Sequence, residues 1–70
     1  MFSRIIADDP SRKNVYVEIY CKNVMIAEII HENEINEIVI HNNPDGKWDQ
    51  IPLIDFIEVL SKASADMVFP

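Results

Sequence analysis

Residues 15–42 have the sequence VYVEIYCKNVMIAEIIHENEINEIVIHN, in which three short runs alternate apolar and other side chains. A period of two is typical of strands that bury one face, and β-branched and aromatic residues favour the same structure. We therefore predict three antiparallel strands. Their buried side, called the inner face below, is expected to consist of Val15, Val17, Ile19, Met25, Ala27, Ile29, Ile38 and Ile40.

The first turn predicts how the first two of these strands are paired. A three-residue loop at residues 21–23, with Asn23 in the left-handed conformation, would pair Val17 with Ala27. A slip of one residue would place Val17 opposite Glu28 and mix the two faces of the sheet. The sequence therefore favours a register that keeps the apolar residues together.

The remaining strands follow from the same pattern. A two-residue turn at residues 33–34 predicts that Ile29 is paired with Ile38. Residues 1–7 are apolar enough to form a fourth strand at the edge of the sheet, beside residues 15–20.

A helix is predicted over residues 52–64, because Pro52 suits a first helical turn and apolar residues then recur at helical spacing. The chain is thus predicted to be a single small α+β domain, residues 1–70. Its architecture is a three- or four-stranded antiparallel β-meander with one C-terminal helix packed on one face. The helix residues expected to contact the sheet are Leu53, Phe56, Ile57, Leu60 and Ala63.

Composition excludes several classes of protein. The chain has 70 residues, of which 49% are hydrophobic, and a single cysteine, which cannot form an intrachain disulfide. We find no basic-then-apolar leader and no run of about 18 apolar residues, so we expect no membrane contact. A lone thiol is typical of a reducing compartment. These features together predict a cytoplasmic protein.

The charge is acidic and unevenly distributed. The net charge is −6; residues 1–22 carry four basic and three acidic side chains, and residues 23–70 carry two basic and nine acidic ones. Such a surface repels nucleic-acid phosphates and steers basic partners. The charge therefore predicts a basic protein partner and no nucleic acid.

Catalytic and metal-binding motifs are not evident. Cys21 would need His31 or His41 as a base, but the predicted strands separate Cys21 from His31 by several residues at about 3.3 Å each. The two histidines are ten residues apart and lack the spacing of a zinc site. We therefore predict a protein that is not an enzyme and that requires no cofactor or metal.

The opposite side of the sheet, called the outer face below, is the predicted binding surface. One helix cannot cover two faces, and aromatic and aliphatic side chains among acids are typical of a protein-binding patch. Trp48 has two interpretations, a lid over the end of the core with a locally bonded N–H and an exposed recognition residue. The predicted partner-binding residues are Tyr16, Glu18, Tyr20, Ile26, Glu28, Ile30, Glu37 and Trp48.

The stretches YCKNVMIAEI, IVIHNNPDGKW and IPLIDFIEVLSKA, within residues 15–63, resemble small acidic bacterial immunity proteins of polymorphic or contact-dependent toxin systems. That resemblance implies a cytoplasmic protein that neutralises a cognate toxin, such as a nuclease, by direct stoichiometric binding. Two alternatives remain: a small interaction or dimerisation module, forming a homodimer through the outer face, and an acidic phage-type inhibitor that mimics nucleic acid.

Overall fold

The computed structural model describes residues 1–67. Four strands form one antiparallel sheet in the order β1-β2-β3-β4, and one helix follows them along the chain. This α+β arrangement confirms the predicted fold, including the edge strand at the amino terminus. The elements are β1 (Phe2–Ala7), β2 (Tyr16–Cys21), β3 (Val24–Ile30), β4 (Glu37–Ile40) and α1 (Leu53–Asp66).

The turn between β2 and β3 is shorter than predicted. Lys22 and Asn23 both have positive φ, 51° and 68°, as a two-residue hairpin turn with matching strand twist requires. The left-handed Asn23 is therefore confirmed, but the three-residue loop is wrong. The turn pairs Tyr20 with Met25.

A bulge in β3 then restores the apolar pairing. Continued without interruption, the register set by the turn would place Val17 opposite Glu28, the slip that mixes the two faces. The structure inserts one extra residue, Ile26, into β3, and beyond it Val17 pairs with Ile29 instead of the predicted Ala27. Beyond the bulge the predicted register was thus wrong by two residues, an even shift that keeps the faces. Between the turn and the bulge it was wrong by one, so Met25, predicted on the inner face, lies opposite Tyr20 of the outer face.

The pairing of β3 with β4 has the predicted register, with Ile29 opposite Ile38. The predicted two-residue turn is nevertheless wrong, because the ladder ends at Ile30 and Glu37 and residues 31–36 form a six-residue loop. Side-chain hydrogen bonds hold this loop, among them one of 3.0 Å from Asn33 Nδ2 to a carboxylate oxygen of Glu37.

The core lies between α1 and the inner face. Four of the predicted inner-face residues are buried, but Val15, Ile38 and Ile40 are exposed by 38%, 44% and 60%, and Met25 is half-buried. The exposure of Ile38 and Ile40 follows from the position of the helix, which packs mainly against β1 and β2 and leaves β4 uncovered. The buried cluster consists of Val17, Ile19, Cys21, Ile26, Ala27, Ile29, Val59, Ala63 and Met67.

The helix is rotated from the predicted orientation. Three of the five predicted contacts are confirmed, since Ala63 is buried and Phe56 and Leu60 pack against the core. Leu53 and Ile57 are instead exposed by 69% and 49%, and Val59, which was not predicted, is buried. Contacts to β1 explain the rotation: the rings of Phe2 and Phe56 lie 5.4 Å apart.

The last turn of α1 is also tied to β1. The helix extends two residues beyond the predicted end, to Asp66, which forms an ion pair with Arg4. Lys62 lies before the last turn of this longer helix. Met67, the residue after the helix, is buried in the core, and Val68 and Phe69 lie outside the described residues. Within residues 1–67, no helix is long and apolar enough to span a membrane.

Candidate functional site

The centre of the outer face holds two glutamates directly opposite each other. The register pairs Glu18 of β2 with Glu28 of β3, an arrangement that destabilises a sheet unless positive groups compensate it. Glu28 is 6% exposed, and it is the only charged residue among those buried within residues 1–67. A buried carboxylate needs hydrogen bonds to both oxygens to be tolerated.

Both oxygens of Glu28 are in fact bonded. Arg12 donates from Nη2 to Oε2 at 2.8 Å, and Nε2 of His41 lies 2.7 Å from Oε1. The Arg12 guanidinium also lies 4.5 Å from the centre of the Tyr16 ring, where a cation is attracted to the π-system. We call Arg12, Tyr16, Glu28 and His41 the Glu28 cluster.

The segment before β2 positions Arg12 in this cluster. Asp9 begins a turn. Its carboxylate accepts the backbone N–H of Ser11 at 2.8 Å, and its carbonyl accepts the backbone N–H of Arg12 at 2.9 Å. These hydrogen bonds from the Ser11 backbone and hydroxyl lower the pKa of Asp9. Glu32 also holds this segment, because its carboxylate accepts the backbone N–H of Lys13 at 3.0 Å. The segment is thereby fixed across the outer face.

This covering corrects the predicted binding surface. Tyr16 and Ile26 are 9% and 3% exposed, and together with the buried Glu28 they cannot form an exposed patch. Two features that the alternation of residues did not indicate explain this burial. Arg12, from the chain before β2, covers Tyr16 and Glu28, and the bulge in β3 places Ile26 in the core cluster. The predicted residues that remain partly exposed on the outer face are Glu18, Tyr20, Ile30 and Glu37.

Two tyrosines of this face sit in an electrostatically negative environment. The hydroxyl of Tyr20 donates to Glu18 at 3.3 Å. Burial, and then the nearby charge of Glu18, raise the pKa of both Tyr16 and Tyr20 above the ordinary 10.0. The outer face therefore presents neutral phenols beside carboxylates at physiological pH.

Trp48 lies apart from the outer-face residues, in the segment that connects β4 to α1. It is half-buried against the core, and its Nε1 donates to the carbonyl of His41 at 2.9 Å. This geometry confirms the lid interpretation. Trp48 also borders a groove of about 240 Å³ that reaches Cys21 and the turn at Asn43 and Asp45.

The thiol and the two imidazoles within residues 1–67 are buried or hydrogen-bonded. Cys21 is a free, buried thiol at the end of β2. His41 is bonded to Glu28 and His31 to Asn36, whose Oδ1 lies 2.7 Å from Nδ1. No group of three or more His, Cys, Asp or Glu side chains that could hold a metal ion occurs within the described part of the chain.

Sequence reasoning missed Arg12, the residue on which the Glu28 cluster depends. Only its positive charge in an acidic chain was a signal, because the distance of sixteen residues to Glu28 has no local pattern. Comparisons add nothing to this geometry: no family model, no curated protein and no solved structure matches the chain.

Proposed function

We propose that this chain is a non-enzymatic binding protein that neutralises a cognate toxin by direct stoichiometric contact, as the resemblance to immunity proteins implies. The proposal extends to a basic partner, such as a nuclease, and to a cytoplasmic location. The single observation that supports it best is the partly exposed strip of the outer face that carries Glu18, Tyr20 and Glu37.

Each part of this strip suits a different aspect of binding. Tyr20 offers a rigid aromatic surface with a hydroxyl held by Glu18, and tyrosine is frequent among the residues that dominate interface energies. Carboxylates accelerate the encounter with a basic partner more than they strengthen the final complex. Because the Glu28 cluster holds the underlying strands, the strip is presented without prior rearrangement.

Glu28 supports a binding role over a catalytic one. A general base must reach the proton that it abstracts, yet both oxygens of Glu28 are committed to Arg12 and His41. The carboxylate is also almost fully enclosed. Its two partners therefore serve to join the segment before β2 and the end of β4 to the sheet.

The test begins with affinity capture from the native lysate, followed by mass spectrometry. The captured protein is then assayed for toxicity or nuclease activity as this chain is added. Loss of activity that is complete at one equivalent is the expected result. A captured enzyme that keeps its activity at a large excess of the chain would overturn the proposal.

Association and dissociation rates locate the contact. Tyr20→Ala is expected to speed dissociation, whereas Glu18→Lys with Glu37→Lys should slow association and flatten its salt dependence. Asp45→Lys with Asp49→Lys is the matched control, because it makes the same change in net charge on another surface. Equal effects of the two charge pairs would show that only net charge matters and would remove the outer face from the proposal.

A further inference from the structure

A second unpaired surface lies on the other side of the sheet, between α1 and β4. A helix is about 10 Å wide and strands are about 4.8 Å apart, so one helix covers roughly two strands of four. Because α1 packs mainly against β1 and β2, the inner side of β4 stays open. Ile38 and Ile40 are consequently exposed by 44% and 60%.

The charges of α1 are all on its β1 side. Asp55, Glu58 and Lys62 border a groove of about 200 Å³ that β1 also lines, and Asp66 pairs with Arg4 of β1. At 3.6 residues per turn, no charged side chain then lies on the flank toward β4 or on the back of the helix, which is the side turned away from the sheet. The residues on this uncharged side are Leu53, Ile54, Ile57, Ser61, Ser64 and Ala65.

An exposed helix surface without charges is unusual in an acidic chain. Surface helices normally place polar and charged residues opposite the buried stripe, but Ile54 is 71% exposed on the back of α1. The apolar side of β4 and the uncharged side of α1 are adjacent, because Leu53 and Ile57 lie on the flank that faces β4. Together they form one uncovered surface in the angle between β4 and α1, called the angle below.

We propose that this angle is the contact surface of a homodimer, in which the uncharged side of α1 in each copy covers β4 of the other. A two-fold contact must be self-complementary, so that a surface and its partner both occur on one chain. This chain provides both: Ile38 and Ile40 on the strand, and Leu53, Ile54 and Ile57 on the helix.

In this dimer the two-fold axis lies midway between the two helices and parallel to the planes of the two sheets. The helices lie side by side, with one sheet below and the other above. Each helix packs on its own β1 and β2 and on β4 of its partner. Both outer faces point away from the contact, so the toxin-binding proposal stands or falls separately from this one.

Charge distribution selects a second copy over a basic partner for this surface. A net charge of −6 on each chain disfavours association of two copies in general. At this angle, however, the acids of α1 lie on the remote β1 side, and Glu37 of β4 points to the outer face. A basic partner would find no carboxylate of α1 or β4 here, whereas an identical uncharged surface meets no repulsion.

The size of the contact is also reasonable. A stable interface removes roughly 800 Å² from each partner, which is about one sixth of the 5010 Å² surface of this chain. One strand or one helix flank alone would bury less. In the proposed dimer each copy contributes the strand surface once and the helix surface once, and both are buried.

Sedimentation equilibrium of the full chain measures the oligomeric state. The wild-type chain is expected at about 16 kDa, twice the 8.1 kDa of one copy. Ile54→Lys and Ile40→Lys should each raise the dimer Kd by at least about thirtyfold, the loss expected for an interface hot spot, since every substitution occurs twice in the dimer. Both positions are exposed within one copy, so circular dichroism should show unchanged folding.

Ile5→Lys is the matched control. Ile5 is an isoleucine of similar exposure, 52%, on the outer face of β1, and its substitution should leave the dimer intact. A wild-type chain that stays at 8.1 kDa at millimolar concentration would overturn the proposal. So would dimers of Ile54→Lys and Ile40→Lys that are as tight as the wild type, or an equal loss in Ile5→Lys.

Discussion

Removing the Arg12 side chain should be among the most damaging single changes outside the apolar core. Arg12→Ala leaves Glu28, 8% exposed in its side chain, with His41 as its only partner and Glu18 directly opposite. Breaking a buried ion pair by removing one partner costs about 3–5 kcal/mol. Because His41 still bonds one oxygen, we expect the lower end of this range, about 3 kcal/mol. The lost contact with the Tyr16 ring adds about 0.5–1 kcal/mol.

This loss is large for so small a chain. Seventy residues correspond to a free energy of unfolding of roughly 4–10 kcal/mol. Urea unfolding followed by circular dichroism, at one fixed protein concentration, measures the change. With a denaturant slope of about 1 kcal/mol per molar, the combined loss of about 3.5–4 kcal/mol should lower the unfolding midpoint by about 3.5–4 M.

Two further variants isolate the buried charge as the cause. Lys62→Ala also removes one partner of an ion pair, but the pair with Glu58 is exposed by 55% and 59%, so its cost should stay below about 0.5 kcal/mol. Adding Glu28→Gln to Arg12→Ala should recover at least about 1 kcal/mol, because the uncompensated charge is gone. The role assigned to Arg12 is refuted if Arg12→Ala costs no more stability than Lys62→Ala, or if the double variant recovers none of the lost stability.

Two other predictions concern the tyrosines and the helix. The raised pKa values of Tyr16 and Tyr20 mean that folding favours the neutral phenols. The stability that these two groups contribute is complete below the unfolded-state pKa of 10.0, and it is lost as the pH rises through the pKa values of the folded state. The urea midpoint should therefore decrease as the pH is raised beyond about 10, and it should decrease less steeply in Tyr16→Phe than in the wild type. An identical pH dependence in the two proteins would contradict this. Val59→Ala should cost about 1–3 kcal/mol by leaving a cavity in the core, whereas Glu58→Ala at the neighbouring exposed position should cost almost nothing in the same urea titration.

The parts of the fold that sequence patterns predicted are those governed by short-range rules. Alternation identified the strands, and the paired positions Ile29 and Ile38 followed from the requirement that apolar residues stay on one face. That requirement tolerates any even shift. It therefore could not distinguish the predicted partner of Val17, Ala27, from the observed one, Ile29. The distinction depends on two features, a two-residue turn and a bulge. Each shifts the register by one residue from the predicted one, so together they give an even shift.

The outer face was predicted less well because its covering is made by residues distant in sequence. Glu18, Tyr20 and Glu37 are partly exposed as expected, but Tyr16 and Glu28 are buried under Arg12. A sequence shows that Arg12 is basic and that Glu28 lies in a strand. It does not show that the preceding turn directs one onto the other.

The orientation of α1 has a similar cause, and it bears on the proposed dimer. The helical spacing of apolar residues allows two adjacent stripes, one through Leu53 and Ile57 and one through Val59, and the predicted contacts Phe56, Leu60 and Ala63 are compatible with either. Periodicity gives the first stripe at least equal weight. The choice is made by β1, where Phe2 contacts Phe56 and Arg4 pairs with Asp66. A helix with apolar residues on more than one side needs more than one partner surface. Since its own sheet covers only the second stripe, the first remains available for β4 of another copy.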